Sequence, residues 1–389
     1  MLLFIALANA VGVVGAQPPI ESDPHGVGRW VDLFMVAVVH ARTYPVFAIM
    51  FGYGLVQLAA RLDRAGATPE RVRSVLLRRN AWLVGFGLAH AVLLYFGDFL
   101  GAYGIVGIVA TLALLRRGER VHRALLWLWG FMVLEVLVLA ALVASHLLQG
   151  SNPPAPLPVA EIRSLAAPDY ITSMFERIHE WPRHTLTVVP FIIIVWLGMW
   201  GARHRLLEEP ATHRRLLRRI AAGALGIAVA GGLPLGLTSA GLLHADAATI
   251  SLMILLHQAS GMFGGPGYVA LFGLAALHLS RGNPSRTIAR FTRLVTALGQ
   301  RSLSGYLLQS VAWLLLLAPY TLSLGERFGN PMLTAAAIAT LVWLASLAGA
   351  SLMHRHGHRG PAEALLRRLI YGDGPRSSQA RTPDFELHS

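Results

Sequence analysis

Residues 78–107 read RRNAWLVGFGLAHAVLLYFGDFLGAYGIVG: a pair of arginines, an apolar run, Gly97-Asp98, and a second apolar run. Each run comes close to the roughly 17–25 helical residues that cross about 30 Å of hydrocarbon. With so little chain between them, the two must cross in opposite directions and lie side by side as a helical hairpin. The arginines mark its entrance, and Asp98 marks the far turn. His90 falls inside the first run, where an ionisable group is costly.

The rest of the chain repeats this pattern. It is 54% hydrophobic and 14% charged over 389 residues, outside the range of an ordinary soluble domain. About ten apolar spans follow one another, at 2–16, 31–60, 81–96, 99–115, 124–148, 185–200, 220–237, 250–279, 294–322 and 332–353. The expected fold is all-α: a polytopic transmembrane bundle in one integral membrane domain, residues 1–371. The polar tail, 372–389, is expected to be disordered and cytoplasmic.

Arginine orients the bundle. The connections after the even-numbered spans carry Arg61 to Arg79, Arg116 to Arg123, Arg203 to Arg219 and Arg281 to Arg293, whereas the alternate connections are poor in arginine. The positive-inside rule then places both termini in the cytoplasm. The net charge of +13 follows from that placement and calls for no nucleic acid; the partner it implies is the lipid bilayer. Cysteine is absent, which excludes disulfides, thiolate catalysis and Cys-based metal sites. No Walker, HExxH or GxSxG pattern occurs, and no internal repeat of the transporter kind is visible.

Between the spans, Thr68-Pro69-Glu70 opens a short basic interfacial helix over 70–79. SNPPAPLP, residues 151–158, is a stiff non-helical linker. Met1–Gly15 lacks the charged start of a signal peptide.

Candidate chemistry lies in four places. His90 is a candidate base, and Asp98 a candidate orienting group or a helix cap. They are eight residues apart, about 12 Å along a helix, so they meet only if the helix breaks or another residue bridges them. Span two holds His40, Arg42 and Tyr44 before Pro45, which is expected to kink it. Arg42 suits a carboxylate or phosphate ligand, and equally an interfacial anchor. Gly52 and Gly54 are expected to serve close helix packing. Span nine carries Arg301 near its start, and Ser302, Tyr306 and Gln309 share one face with Trp313. In span eight His257 precedes the glycine-rich GMFGGPGY, a candidate helix break. His354-Arg355-His356-Gly357-His358 reads as a solvated basic segment, and no metal site is expected.

The order of ARTYPVFAIMFGYGLVQLAAR, the basic loop, the hairpin above, LGQRSLSGYLLQS and RGPAEALLRRLIYG resembles family 418 of the domains of unknown function, the YeiB-like bacterial membrane proteins. The resemblance implies a multi-pass protein of the bacterial inner membrane. That family is distantly similar to the transmembrane acyltransferases, which move an acyl group from a cytoplasmic thioester to a sugar or other acceptor. The similarity implies acyl-coenzyme A as a donor and a small or lipid-linked acceptor. Asn9 takes the place of a histidine those enzymes carry near the end of span one. The Arg-Gly found upstream in them is missing from Met1-Leu2-Leu3, and no catalytic role passes to Asn9.

Three functions remain open. In an acyltransferase-like enzyme His90 is the base, Arg42 or Arg301 holds an anion, and Tyr306 and Gln309 orient the acceptor. In a transporter or exporter of a small or amphiphilic molecule the same groups form a binding site, moved by the broken spans two and eight. A non-catalytic membrane partner is the third. The oligomeric state is not legible.

Overall fold

A computed structural model describes residues 1–14, 26–150, 153–158, 162–282, 285–325, 327 and 330–372. The tail beyond 372 and the start of the 151–158 linker lie outside them. The remaining linker residues, 153–158, are non-helical, and Ala155 N donates to Ala245 O.

The described residues form helices and no strand. They are α1 (Leu2–Val14), α2 (Val27–Phe34), α3 (Tyr44–Arg64), α4 (Pro69–Leu93), α5 (Leu100–Val109), α6 (Glu119–Gln149), α7 (Arg163–Ala166), α8 (Tyr170–Val188), α9 (Ile192–Arg203), α10 (Arg214–Ser239), α11 (Ala247–Gly261), α12 (Gly264–Arg281), α13 (Arg286–Gly299), α14 (Ser302–Leu316), α15 (Pro331–Arg355) and α16 (Pro361–Tyr371). Wider π-turns extend α2 through Val39 and α5 through Leu114, and a short 3₁₀ turn joins α8 to α9. Side-chain caps start several helices: Thr68 accepts from Arg71 N, Asp169 from Thr172 N, Asp246 from Thr249 N and Asn330 from Leu333 N.

Among the described residues six stretches are long and apolar enough to cross a membrane: Val27–Arg64, Glu119–Gln149, Tyr170–Arg203, Arg214–Ser239, Ala247–Arg281 and Pro331–Arg355. Leu100–Leu114 and Ser302–Leu316 are shorter apolar helices. The other two expected spans fall outside this set. α1 has only 13 residues, and the apolar part of α4 shares its helix with Arg71, Arg73, Arg78 and Arg79.

Other expectations change too. The basic segment at 70–79 is no separate interfacial helix, because α4 runs unbroken from Pro69 to Leu93. Span nine divides at Gln300-Arg301 into the strongly amphipathic α13 and the apolar α14. The supposed outer loop 149–184 contains most of α8, whose buried face includes Ser173, Arg177 and Thr185. Its charged side chains lower the average hydropathy; Arg177 is buried and Glu180 half-buried, whereas Arg183 is exposed.

In lipid the apolar surface gains little from helix association, so close packing and hydrogen bonds decide it. α3 and α9 meet at two glycines. A Cβ on Gly52 would lie 1.9 Å from Val195 O, and one on Gly198 would lie 2.0 Å from Ile49 O. Gly54 has nothing within 4 Å of its Cβ position and takes no part. A second tight seam joins α4 to α5, and α8 lies against both.

Candidate functional site

α4 ends just beyond His90: both Leu94 N and Tyr95 N donate to the His90 carbonyl, and the chain leaves the helix. The turn that follows brings Asp98 back against the helix it has left. Asp98 Oδ1 accepts from Leu100 N at 3.1 Å and Oδ2 from Gly101 N at 2.7 Å, so the carboxylate caps α5. The same Oδ1 lies 3.0 Å from His90 Nδ1, with both side chains fully buried. No well-directed hydrogen bond joins His90 Nδ1 to that oxygen, so the contact is a close approach and not a well-formed hydrogen bond. Gly87, one turn below His90, makes this possible: its Cβ position is 2.4 Å from Asp98 Oδ2.

The other ring nitrogen finds a residue that the sequence did not single out. His90 Nε2 lies 2.7 Å from Ser310 Oγ on α14. Ser310, His90 and Asp98 thus stand in the relation of hydroxyl, imidazole and carboxylate, which recurs in nucleophilic catalysis on unrelated folds. Ser310 follows Tyr306 by one turn, and the only sequence signal for it was the polar stripe of α14. Tyr306 packs its ring 4.9 Å from His90, and its buried hydroxyl has no well-directed hydrogen-bond partner. Tyr306 also closes a small cavity with Tyr44, Phe47, Phe99, Tyr103, Ile5 and Leu100. Tyr44 stacks on Phe99 at 4.8 Å. Gln309 is buried, its Nε2 3.5 Å from Leu2 O and its Oε1 unpartnered.

Arg42 and His257 form a different cluster. The chain breaks between α2 and α3 with Ala41 in the left-handed region (φ 60°), and α11 breaks from α12 at Met262-Phe263. The two breaks face each other, because Cβ positions on Gly261 and Gly264 would strike Ala41 O and Arg42 O. Fully buried, Arg42 donates to Ala228 O, His40 O and Ser260 Oγ and lies 2.6 Å from His257 Nδ1. His40 Nδ1 is 3.2 Å from His257 Nε2. This geometry ties three chain segments together, the 40–42 turn, α10 and α11, and its donors are spent.

Arg301 lies apart from His90, donating to Ala297 O and, from Nε and Nη2, to His358 O. That is a clamp on two helix ends. Ser302 starts α14, where Glu363 of α16 accepts from Leu303 N and Ser304 N. Among the described residues no group of three His, Asp or Glu side chains gathers as a metal set.

Long apolar helices around a buried polar site define, by length and composition, an α-helical membrane protein. Residues 201–373 match the model of the family described as "Protein of unknown function (DUF418)". The chain is 24% identical over 353 residues to "Uncharacterized protein YxaH" of Bacillus subtilis (strain 168), covering 86% of this chain and 80% of that protein. It is 32% identical over 108 residues to "Uncharacterized 39.9 kDa protein in amylase 3'region" of Bacillus acidopullulyticus, 28% of this chain and 29% of that one. No solved structure is significantly similar to the chain.

Proposed function

We propose that the protein is an acyltransferase-like enzyme of the bacterial inner membrane, with about ten crossings and both termini cytoplasmic. The observation that carries this reading is the buried relay from Ser310 Oγ through His90 to Asp98, with contacts of 2.7 and 3.0 Å. Asp98 holds the imidazole and steadies its positive charge. His90 Nε2 takes the Ser310 proton as Oγ attacks the carbonyl carbon of an acyl thioester such as acetyl-coenzyme A. The C–S bond breaks and the thiolate leaves with that proton. An acceptor hydroxyl then attacks the ester carbon, giving its proton to His90, which returns one to Ser310.

Position supports a covalent relay. Ser310 lies about 12 Å along α14 from the end marked by Arg301, while Asp98 sits at the opposite, arginine-poor end of α4. A carrier at mid-depth takes an acyl group from one side and yields it to an acceptor from the other. The adjoining aromatic cavity has room for about one water, which suits an acetyl group better than a long chain. Tyr306, which lines it, and Gln309, one turn further along α14, each keep an unpartnered polar atom.

The test is thioester consumption by detergent-purified protein. Wild type should release coenzyme A from acetyl-coenzyme A in the presence of an acceptor, and folded His90→Ala should not. No turnover of short or long thioesters by folded wild type would overturn the enzyme reading. The second reading, transport of a small or amphiphilic molecule, rests on the facing helix breaks at 40–43 and 262–263, which are hinge-like.

A further inference from the structure

Buried polar atoms without partners concentrate along one face of α8. Arg177 Nη1 and Nη2, Glu180 Oε2, Trp181 Nε1, His184 Nε2 and Thr185 Oγ1 all lack one. Arg177 stands out, because its side chain belongs to a residue only 2% exposed. Its Nε donates to Ser173 O at 3.1 Å, and its guanidinium lies over the Tyr170 ring at 5.2 Å. Among the described residues no carboxylate lies within ion-pair distance of it, and the nearby Glu180 uses Oε1 to accept from Ser164 N. A buried guanidinium with both terminal nitrogens unpaired is costly, and its fork matches an oxyanion in two-point contact.

The face leads to the candidate site. His184 is two helical turns from Arg177, about 11 Å, and lies edge-on to Phe99 at 5.2 Å, beside the Asp98 backbone. Trp181 packs over Gly101, the residue whose N–H holds Asp98. We propose that Arg177 binds the phosphate or carboxylate of an anionic acceptor, whose hydroxyl end reaches Ser310 and His90. The acceptor role rests on the acyl-transfer reading; the anion site stands without it.

The test is thermal unfolding of the full chain in detergent at fixed ionic strength, with inorganic phosphate, acetate or dihexanoyl phosphatidate added against chloride. A ligand of the folded state raises the midpoint by mass action. Wild type should be stabilised by at least one of these anions, and Arg177→Gln should lose that response. A response to free phosphate or acetate marks a soluble acceptor, and one to phosphatidate alone marks a lipid-borne acceptor. Without ligand, Arg177→Gln should unfold at or above the wild-type midpoint, because no ion pair is broken. Glu180→Gln should bind the anion more tightly. No response in folded wild type, an undiminished response in Arg177→Gln, or a large ligand-free loss in that variant overturns the proposal. None of these results depends on turnover, so the anion site and the acyl-transfer reading fail separately.

Discussion

A methyl group on Gly87 would displace the carboxylate beside His90 while removing no chemical group from the site. The Cβ of Gly87→Ala would stand 2.1 Å from Gly101 N and 2.4 Å from Asp98 Oδ2, where ordinary contact begins at 3.4 Å. One obstacle is backbone and the other is a carboxylate already fixed by two N–H groups, so neither yields by a side-chain rotation. Asp98 and the start of α5 must retreat by about 1 Å. Overpacking of this kind costs about 1–3 kcal/mol, and an error of about 1 Å in a reacting constellation costs on the order of 100-fold in rate. The assay is paired: thermal midpoint and acetyl-coenzyme A turnover, beside Gly54→Ala. Gly54 has open space around it, so that control should be neutral, or more stable by about 0.5–1 kcal/mol. Equal turnover and stability in Gly87→Ala and wild type would refute the placement of Asp98 against α4.

Other consequences are simpler to state. Ser310→Ala strands His90 Nε2 in a buried site and should cost about 1–3 kcal/mol, with turnover lost in protein that still gives a cooperative melt. Arg42→Lys cannot reach Ala228 O, His40 O and Ser260 together and should cost at least about 2 kcal/mol, read as a lower midpoint in thermal unfolding. In the loop between α9 and α10, Glu208 meets α3. Burial acts against its charge, but hydrogen bonds from Tyr53 and Gln57 prevail and hold its carboxyl below the usual range. Stability from this contact is therefore fully present above the ordinary glutamate pKa and is lost as pH falls through the depressed one. Tyr53→Phe should flatten that acid limb in a melt series from pH 6 to pH 3; an unchanged slope would contradict the assignment.

Hydropathy and arginine spacing made much of the bundle legible. They located the long apolar helices, the interruption near Arg42 and the glycine contact at Gly52, because these depend on local composition. His90 was legible as an ionisable group within an apolar run. Its meeting with Asp98 depended on α4 ending at Leu94, a choice made by the turn and by the neighbouring α5. Ser310 was not singled out: the polar stripe of α14 was its only signal, and its partner is 220 residues away. α8 was misread as a loop because Arg177, Glu180, Trp181 and His184 dilute its hydropathy. The helix is recognisable once α4, α5 and α7 cover those groups. Arg301 drew attention as an anion ligand, whereas its partners are carbonyls at helix ends, which no side-chain pattern announces.

The most direct measurement maps the acyl group itself. Detergent-purified protein would be incubated with acetyl-coenzyme A without acceptor, quenched in acid and digested, and its peptides examined by mass spectrometry. The account predicts one acetyl ester on Ser310 in wild type and none there in His90→Ala of equal stability. An unmodified Ser310 in folded wild type that has turned over thioester, or an equally acetylated Ser310 in His90→Ala, would contradict it.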